Sequence, residues 1–432
     1  MYGAYDGPLQ WNSLLHNWMT SIGFQRNIHD PCLYEKVVND VPIYVIAHVD
    51  DLAIVSNRQN TDSFKRELGQ MFKYSEEHAS KDEEGEFVRY LGMELRRKGD
   101  ELVITQHHLI NQLYAKASKW IPSGMKTPSV PMRSIHGKLD KSTSPSTPED
   151  VKYWSQRPYR QLLGICGFLC LVTRIECCYA YKTLAVFSNC YGKDHWQALL
   201  ELIMYIYSTR KTNVLLFSKS GGSDLSGYCD ADWGGMYNGK STSGWIIFHG
   251  SNPIQWCSRT QKNITRSVGE AEYVSLAELC VEAAHQRMLG ISLGQDHGST
   301  SIMSNSGTEK EPGCVRIWQE SDEYKKMSGR NKIAQAARAS IQEVKVWTDS
   351  ANAIAFATKD WVADKLRHVK ICWHFFKQYV KTKEVTLQHV PTAANSADIL
   401  TKPWGESLGA KNQKAQEFAR HAQFLLGRRT LQ

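Results

Sequence analysis

The chain has 432 residues, more than a single hydrophobic core usually serves, so two or three domains are expected. Its 42% hydrophobic and 22% charged residues are typical of a folded globular protein, and no apolar run is long enough to cross a bilayer, so no membrane partner is expected. The net charge of +8 permits an acidic partner such as nucleic acid but does not require one.

The first half of the chain predicts a helix over residues 8–22, a strand pair around VPIYVIAHVDDLAIVSN and a helix from Thr61 to about Tyr74. Residues 121–150 are rich in Pro, Ser and Thr, which predicts a linker or an extended crossing segment with a domain boundary nearby. Residues 158–218 are apolar and predicted to be helical. Four cysteines in this stretch lack zinc-site spacing and are interpreted as helix-core thiols, because no signal peptide indicates an oxidising compartment: Cys166, Cys170, Cys177 and Cys178.

The second half predicts a mixed sheet with flanking helices. LSGYCDADW, GWIIFHG and PIQWCS are predicted as three antiparallel strands, followed by a helix from about Glu270 to Leu289. Residues 293–343 are polar and aperiodic at first and are interpreted as an insertion. VKVWTDS and EVTLQHV are predicted strands, DKLRHVKICWHFFKQYVKTK a long helix, and a final helix starts at Asn395. The helix before the insertion is predicted to be amphipathic, with this apolar stripe: Val274, Ala277, Val281, Ala284 and Met288.

Four acidic residues lie at strand ends or in helices of this half: Asp230, Glu272, Asp349 and Asp398. Carboxylates that converge repel one another unless a hard cation such as Mg²⁺ binds among them. Two such ions can activate a water and stabilise the leaving oxygen of a phosphodiester. Each acid taken singly is more often a surface residue, and the neighbouring Asp232 and Glu270 remain alternatives on spacing alone.

The motifs around these acids resemble the Pol polyprotein of Ty1/copia-type retrotransposons, in the family's order. They are GYCDADWGG from Gly227, KSTSGW from Lys240, PIQWCSRTQ from Pro253, SVGEAEY from Ser267, VWTDSANAI from Val346 and NSADILTKP from Asn395. The resemblance implies a ribonuclease H that cuts the RNA strand of RNA/DNA hybrids with Mg²⁺, for which Mn²⁺ can substitute. The metal ligands that it implies are Asp230, Glu272, Asp349 and Asp398. The wider family keeps a mobile histidine for product release near the position of His389, although an ordinary strand histidine is an equal alternative.

The long predicted helix carries basic residues at intervals of three and four, beside an apolar stripe one residue earlier. The basic stripe is Arg367, Lys370, His374, Lys377 and Lys381, and the apolar stripe is Leu366, Val369, Trp373, Phe376 and Val380. A basic stripe near a metal site predicts sequence-independent phosphate contacts with the hybrid, although charged helix faces are commonly only solvated.

The first 110 residues resemble the reverse transcriptase palm of the same family, in WNSLLHNWMTSIGFQRNIHDPCLY, VDDLAIVS and LGMEL. The polymerase metal doublet falls on Asp50 and Asp51. A third aspartate and the fingers lie upstream in the family, before Met1, so polymerase activity from this chain alone is not expected. Residues 152–218 resemble the thumb and connection helices.

The expected fold is therefore α/β (α+β), in four parts: a partial palm over 1–110, a helical thumb and connection over 111–218, a ribonuclease H domain over 219–404 and a basic tail over 405–432. Two other functions remain open, namely a nucleic-acid-binding transposon relic and an RNA-directed DNA polymerase active only in a larger polyprotein. The resemblance also implies cytoplasmic particles as the location and other Pol chains as partners.

Overall fold

The computed structural model describes residues 6–132, 139–293, 343–359, 374–402, 420–423 and 425–426. The chain divides into two compact units, Met1–Ala79 with His285–Gln342 and Ser80–Ala284 with Glu343–Gln432. These limits do not coincide with the domain limits expected from the sequence. The basic tail and all but the ends of the predicted insertion lie outside the described residues. In the described ranges, no helix has the length and apolar character needed to cross a membrane.

The first unit contains an antiparallel sheet with strand order β1-β2-β3-β4. Its elements are α1 (Gly7–Ser21), β1 (Gln25–Arg26), β2 (Leu33–Val38), β3 (Val41–His48), β4 (Asp51–Val55) and α2 (Arg58–Met71). The predicted strand pair is confirmed as the β3–β4 hairpin. Helix α2 starts before the predicted Thr61, because the side chain of Asn57 caps it by accepting a 2.8 Å hydrogen bond from the Asn60 amide.

The second unit begins with an antiparallel sheet that the sequence analysis did not predict. Its strands, in spatial order, are β5 (Ser80–Asp82), β6 (Gly85–Tyr90), β7 (Met93–Lys98), β8 (Glu101–Thr105) and β9 (Leu215–Ser218). Strand β9 comes from the stretch predicted to be helical, and it pairs with β8. Residues 80–105, expected in the palm, therefore pair inside the second unit.

Five helices lie between β8 and β9 along the described chain: α3 (His107–Ala117), α4 (Pro148–Ser155), α5 (Tyr159–Val172), α6 (Cys178–Ala185) and α7 (Lys193–Ser208). The described parts of the Pro/Ser-rich segment before α4 are irregular, and Val130, Met132 and Leu139 in them are buried. These parts therefore pack on the core, as an extended crossing segment does and a free linker does not. The four cysteines are buried thiols, as predicted. Burial raises the pKa of Cys166 and Cys170, which keeps these thiols protonated.

The second sheet of this unit has the strand order β12-β11-β10-β13-β14. Its elements are β10 (Leu225–Asp232), β11 (Thr242–His249), β12 (Asn252–Thr260), α8 (Val268–Leu293), β13 (Val344–Thr348), α9 (Ala351–Thr358), α10 (Lys377–Lys381) and β14 (Val385–His389). The first three strands are antiparallel, as predicted, and β13 and β14 run parallel to β10. The predicted final helix from Asn395 is present as the 3₁₀ helix Ser396–Leu400, and a second short 3₁₀ helix, Thr392–Ala394, precedes it.

Helix α8 differs from the amphipathic helix predicted from its sequence. Every residue from Glu270 to Cys280 is buried, so this part is covered on all sides. Two members of the predicted apolar stripe, Val281 and Met288, are instead exposed. A helix buried all round carries apolar residues on every face, and periodicity cannot identify its inner side.

The second sheet and the helices before it share one hydrophobic core. Phe248 of β11 and Leu400 of the last 3₁₀ helix belong to the same buried cluster as Leu169 of α5 and Leu199 of α7. The indole Nε1 of Trp256 donates a 2.9 Å hydrogen bond to the Cys170 carbonyl. Removal of these helices would expose apolar surface on the sheet, so experiments on this unit require the complete chain.

Candidate metal centre

Two adjacent parallel strands bring the first pair of acidic residues together. Asp230 is near the end of β10, and Asp349 directly follows β13. Cys229 and Thr348 are paired in register, so the residues that follow them, Asp230 and Asp349, lie side by side at the same end of the two strands. The two carboxylates are therefore neighbours because of strand pairing, although more than one hundred residues separate them along the chain.

The third carboxylate reaches this edge through the last 3₁₀ helix. Asp398 lies in Ser396–Leu400, which the Asn395 side chain caps by accepting a 3.2 Å hydrogen bond from the Ala397 amide. The same side chain donates a 2.9 Å hydrogen bond to the Cys229 carbonyl of β10. Asn395 thus stabilises the turn and attaches it to the strand that carries Asp230.

Three of the four predicted ligands form a compact group. One oxygen each from Asp230, Asp349 and Asp398 lies within 4.8 Å of the others. Asp230 is 1% exposed, whereas Asp349 and Asp398 are half-buried, so the group opens to solvent on one side. Such a spacing of hard oxygen donors suits a divalent cation.

Glu272, the fourth predicted ligand, lies in the first turns of α8 and is buried. It is outside the three-residue group, but it is close enough for its charge to interact with Asp230 and Asp349. Its Oε2 atom has no hydrogen-bond partner among the described residues. A buried carboxylate oxygen without a hydrogen-bond donor lowers the stability of the fold. This atom therefore fits a site in which a bound cation is its partner.

The electrostatics of the group follow from burial and crowding. Burial raises the pKa of Asp230, and the neighbouring carboxylate of Asp398 raises it further. The pKa of Glu272 is raised for the same reasons, by burial first and then by Asp230 and Asp349. Four acids that each disfavour the charge of the others form a strong field for a cation.

Residues outside the predicted set hold the group in position. The Thr401 hydroxyl donates a hydrogen bond to Oδ2 of Asp230. Ser275 of α8 donates through its hydroxyl to the Asp230 carbonyl at 2.8 Å. Gly244 pairs with Asp230 in the sheet, and a Cβ atom there would lie 2.8 Å from the Cβ of Leu400, so only glycine permits the close approach of the 3₁₀ helix.

Lys402 is a further residue that the sequence analysis missed. Its Nζ lies 2.9 Å from Oδ1 of Asp398 and 3.4 Å from Oδ2 of Asp230. Burial alone would lower the pKa of this lysine, but the two carboxylates outweigh burial and raise it. The available signal was its position four residues after Asp398 in the quoted NSADILTKP segment.

The two alternative acids have other surroundings. Burial raises the pKa of Asp232, and the nearby ammonium group of Lys182 opposes this shift. Glu270 accepts a 2.8 Å hydrogen bond from the Arg266 amide at the start of α8. Neither belongs to the three-residue carboxylate group. Position along the chain left Asp230 and Asp232 equivalent, whereas the structure separates them.

Of the predicted histidine and basic site residues, His389, His374, Lys377 and Lys381 lie in the described ranges. His389 is exposed, and its Nε2 lies 3.2 Å from the backbone carbonyl of Asp349. His374 does not lie on an open basic stripe, because its Nδ1 is 2.8 Å from the Tyr273 hydroxyl. Lys377 donates from Nζ to the Lys359 carbonyl at 3.0 Å. Lys381 is exposed, and Arg367 and Lys370 lie outside the described residues.

The two aspartates predicted to be a polymerase metal doublet have different surroundings. Asp50 and Asp51 lie at the tip of the β3–β4 hairpin, and both are exposed. Val49, beside them, has a φ of +56° in the tight turn. In the described part of the chain, neither aspartate belongs to a group of three metal-type side chains. The doublet alone offers few of the ligands that a divalent cation requires.

Comparison with known proteins identifies relatives along almost the whole chain. No family model matches. The chain is 26% identical over 404 residues to a retrovirus-related Pol polyprotein from transposon RE1 of Arabidopsis thaliana, covering 93% of this chain and 23% of that protein. It is 27% identical over 288 residues to a Ty5-1 transposon protein of Saccharomyces cerevisiae, covering 65% of this chain and 87% of that protein.

A solved structure of a foamy viral protease-reverse transcriptase in complex with double-stranded DNA aligns with 89% of this chain and 49% of that chain, at a TM-score of 0.40 and 12% identity. The chain spans about a quarter of the length of the curated Pol relatives that it matches, 23% for the RE1 protein and 26% for a TNT 1-94 protein of Nicotiana tabacum. With relatives of this kind over 93% of its length, the chain is homologous to the retrovirus-related Pol polyproteins of Ty/copia-type transposons.

Proposed function

We propose that this chain is a ribonuclease H that hydrolyses the RNA strand of RNA/DNA hybrids, with divalent cations held by four carboxylates: Asp230, Glu272, Asp349 and Asp398. The observation that carries the proposal is the convergence of oxygens from three separate elements within 4.8 Å. Buried like charges destabilise a fold, so such a group is expected where function requires it.

The donor set fits Mg²⁺ or Mn²⁺ better than a softer metal. All four side chains are hard oxygen donors, and the unpartnered Oε2 of buried Glu272 supplies a ligand atom without the loss of a hydrogen bond. When bound, such cations activate a water for attack on a phosphodiester and stabilise the leaving oxygen.

The protein's own residues would orient the substrate and the ligands. Thr401 and Ser275 hold the side chain and the backbone of Asp230, so that ligand is fixed before the substrate binds. Because Asp349 and Asp398 are the more exposed members, the scissile phosphate would approach from their side. His389 lies at this rim, where it could assist product release. Phosphate contacts by the basic residues near α10 would add sequence-independent affinity.

The test is cleavage of a labelled RNA/DNA hybrid by the complete chain with Mg²⁺ or Mn²⁺. Asp349→Asn should abolish cleavage, whereas Asp224→Asn, an exposed aspartate just before β10, should leave the rate unchanged. Cleaved RNA should carry 5′-phosphate and 3′-hydroxyl ends, and single-stranded RNA should remain intact. Binding of the hybrid without cleavage in either metal would favour the nucleic-acid-binding relic instead.

A further inference from the structure

A single side chain bridges two of the carboxylates in the candidate metal centre. The Nζ of Lys402 is 2.9 Å from Asp398 and 3.4 Å from Asp230, so it contacts both acids at once. In the described ranges, no other lysine or arginine forms a salt bridge with either acid. Lys402 is therefore the local counter-ion of this group.

The chain places this cation on the same turn as one of the ligands. The backbone amide of Lys402 donates a 3.1 Å hydrogen bond to the Asp398 carbonyl, and the Thr401 amide donates to the same oxygen at 3.2 Å. A lysine four residues after an aspartate can reach its carboxylate by a local rotamer alone. The ion pair is thus built into the short segment that delivers Asp398 to the sheet.

Lys402 is also the member of the arrangement that can most readily leave. Its side chain is 38% exposed, whereas that of Asp230 is 1% exposed and held by Thr401. A long, flexible lysine at a solvent boundary can change rotamer without rearrangement of the core. The buried aspartate has no comparable freedom.

Coulomb repulsion prevents the ammonium group and a divalent cation from sharing the same oxygens. Two positive charges a few ångströms apart repel strongly in a partly buried site. We propose that Lys402 is a resident counter-ion of the carboxylate group, which stabilises the metal-free protein and must move away when a divalent cation binds. This inference rests on the proposed function, because it assumes that the group binds metal, and it adds a residue that opposes such binding.

Mn²⁺ alone is the probe, because free Mn²⁺ is measured directly by electron paramagnetic resonance, without any cleavage assay. The complete chain is compared with Lys402→Met, which keeps most of the length of the side chain and removes its charge. Removal of the competing charge should tighten Mn²⁺ binding about tenfold at constant pH and ionic strength. With a chelator present, Lys402→Met should melt at a lower temperature than wild type, and Mn²⁺ should raise its melting temperature more than that of wild type.

Two variants act as controls. Lys402→Arg keeps the charge and should bind Mn²⁺ within about twofold of wild type. Lys345→Met removes an exposed lysine on β13, away from the carboxylate end of that strand, and should change neither affinity nor melting. The proposal is overturned if Lys402→Met binds Mn²⁺ no more tightly than wild type, or if Lys402→Arg tightens binding equally.

A different result would count against the proposed function itself. Wild-type protein that binds no Mn²⁺, or an Asp349→Asn protein that binds it as well as wild type, would show that the carboxylates do not form the metal site. Wild-type binding that Asp349→Asn removes, together with unchanged affinity in Lys402→Met, would reject only the role of Lys402.

Discussion

The chain contains two places where acidic residues suggest metal chemistry, and they differ in how they are built. Asp50 and Asp51 are sequence neighbours at an exposed hairpin tip. Asp230, Asp349 and Asp398 come from two strands and a 3₁₀ helix and meet within 4.8 Å. A motif of adjacent acids is easily recognised in a sequence, but ligand geometry depends on convergence of residues that are distant along the chain.

The surroundings of the two places differ as much as their geometry. The exposed doublet is solvated, so the fold loses little by keeping its charges. Asp230 and Glu272 are buried, and burial first, then repulsion within the group, raises the pKa of both. The negative charge of the buried group therefore attracts a cation, and the same charge lowers the stability of the fold when no cation is bound.

The largest expected effect is on cleavage. Asp230→Asn should lower the rate of hybrid cleavage more than about a hundredfold, because even the loss of a group that only supports a ligand lowers activity 10- to 100-fold. Asp51→Asn should leave the same rate unchanged, since this aspartate belongs to the other unit. Initial rates in Mg²⁺ measure both. If Asp230→Asn and Asp51→Asn lose cleavage rate equally, the carboxylate group and the Asp50–Asp51 doublet do not differ in their importance for cleavage.

The second effect concerns the stability of the metal-free protein. Glu272→Gln should raise the free energy of unfolding at pH 8 with chelator by about 2 kcal/mol, because it removes an acid whose charge burial and the neighbouring carboxylates disfavour. The pKa of Glu272 is raised in the folded state, so the folded protein binds its proton more tightly than the unfolded chain does. Stability is therefore lost as pH rises from the unfolded pKa through the folded one.

Chemical denaturation at pH 5 and pH 8 tests whether the free energy of unfolding changes with pH in this direction. The advantage of Glu272→Gln over wild type should be larger at pH 8 than at pH 5, because between these pH values the unfolded chain has released the Glu272 proton that the folded protein still holds. Saturating Mn²⁺ should stabilise wild type alone, which reduces or reverses the difference in free energy of unfolding between the two proteins. An advantage that does not change with pH would show that shape, and not charge, is responsible.

The third effect concerns Lys182 of α6, which is 8% exposed and contacts β11 of the second sheet. Its Nζ donates to the Thr242 hydroxyl at 2.8 Å and lies 4.4 Å from the Tyr179 ring centroid. Burial lowers the pKa of this lysine to about 7, although the carboxylate of Asp232 opposes the shift. The unfolded chain then binds more protons than the folded protein above pH 7, so stability rises with pH up to the unfolded pKa.

Lys182→Met removes this titration. Between pH 7.5 and 9, the stability of wild type relative to the variant should increase by about 1 kcal/mol per pH unit, close to the limit for a single proton. Denaturation curves at several pH values give this slope. Any packing that Lys182→Met loses lowers its free energy of unfolding equally at every pH and does not change the slope. If the free energies of unfolding of the two proteins change with pH in parallel, Lys182 stays charged.

Much of the sheet around the carboxylate group was predictable from the sequence, for a physical reason. Alternating apolar residues located β10 to β12, and acids at the ends of β10 and β13 could be expected at one edge once those strands were placed side by side. The position of Asp398 depends on hydrogen bonds made by Asn395, and periodicity does not encode them. Lys402 was missed because a lysine after a ligand motif looks like ordinary surface.

The unpredicted parts have physical causes as well. Strand β9 pairs with β8 across more than one hundred residues, and only the short polar run TRKTN at 209–213 separates its four residues from the apolar helix before it. Helix α8 is buried on all sides in its first half, which removes the amphipathic pattern used to orient it. Local sequence patterns therefore predict where helices and strands lie along the chain better than they predict which elements pack or pair with one another.

The smallest effect is expected at the hairpin tip. Replacing Asp50 and Asp51 together with asparagine should change the free energy of unfolding by less than about 0.5 kcal/mol, as is usual for exposed side chains. The number of Mn²⁺ ions bound per chain should also stay the same, because the described residues place no third acid beside the doublet. Titration with Mn²⁺ gives that number directly. Loss of one bound ion would show that the doublet holds metal by itself, and the contrast between an exposed doublet and a converged group would then concern affinity and not the presence of a site.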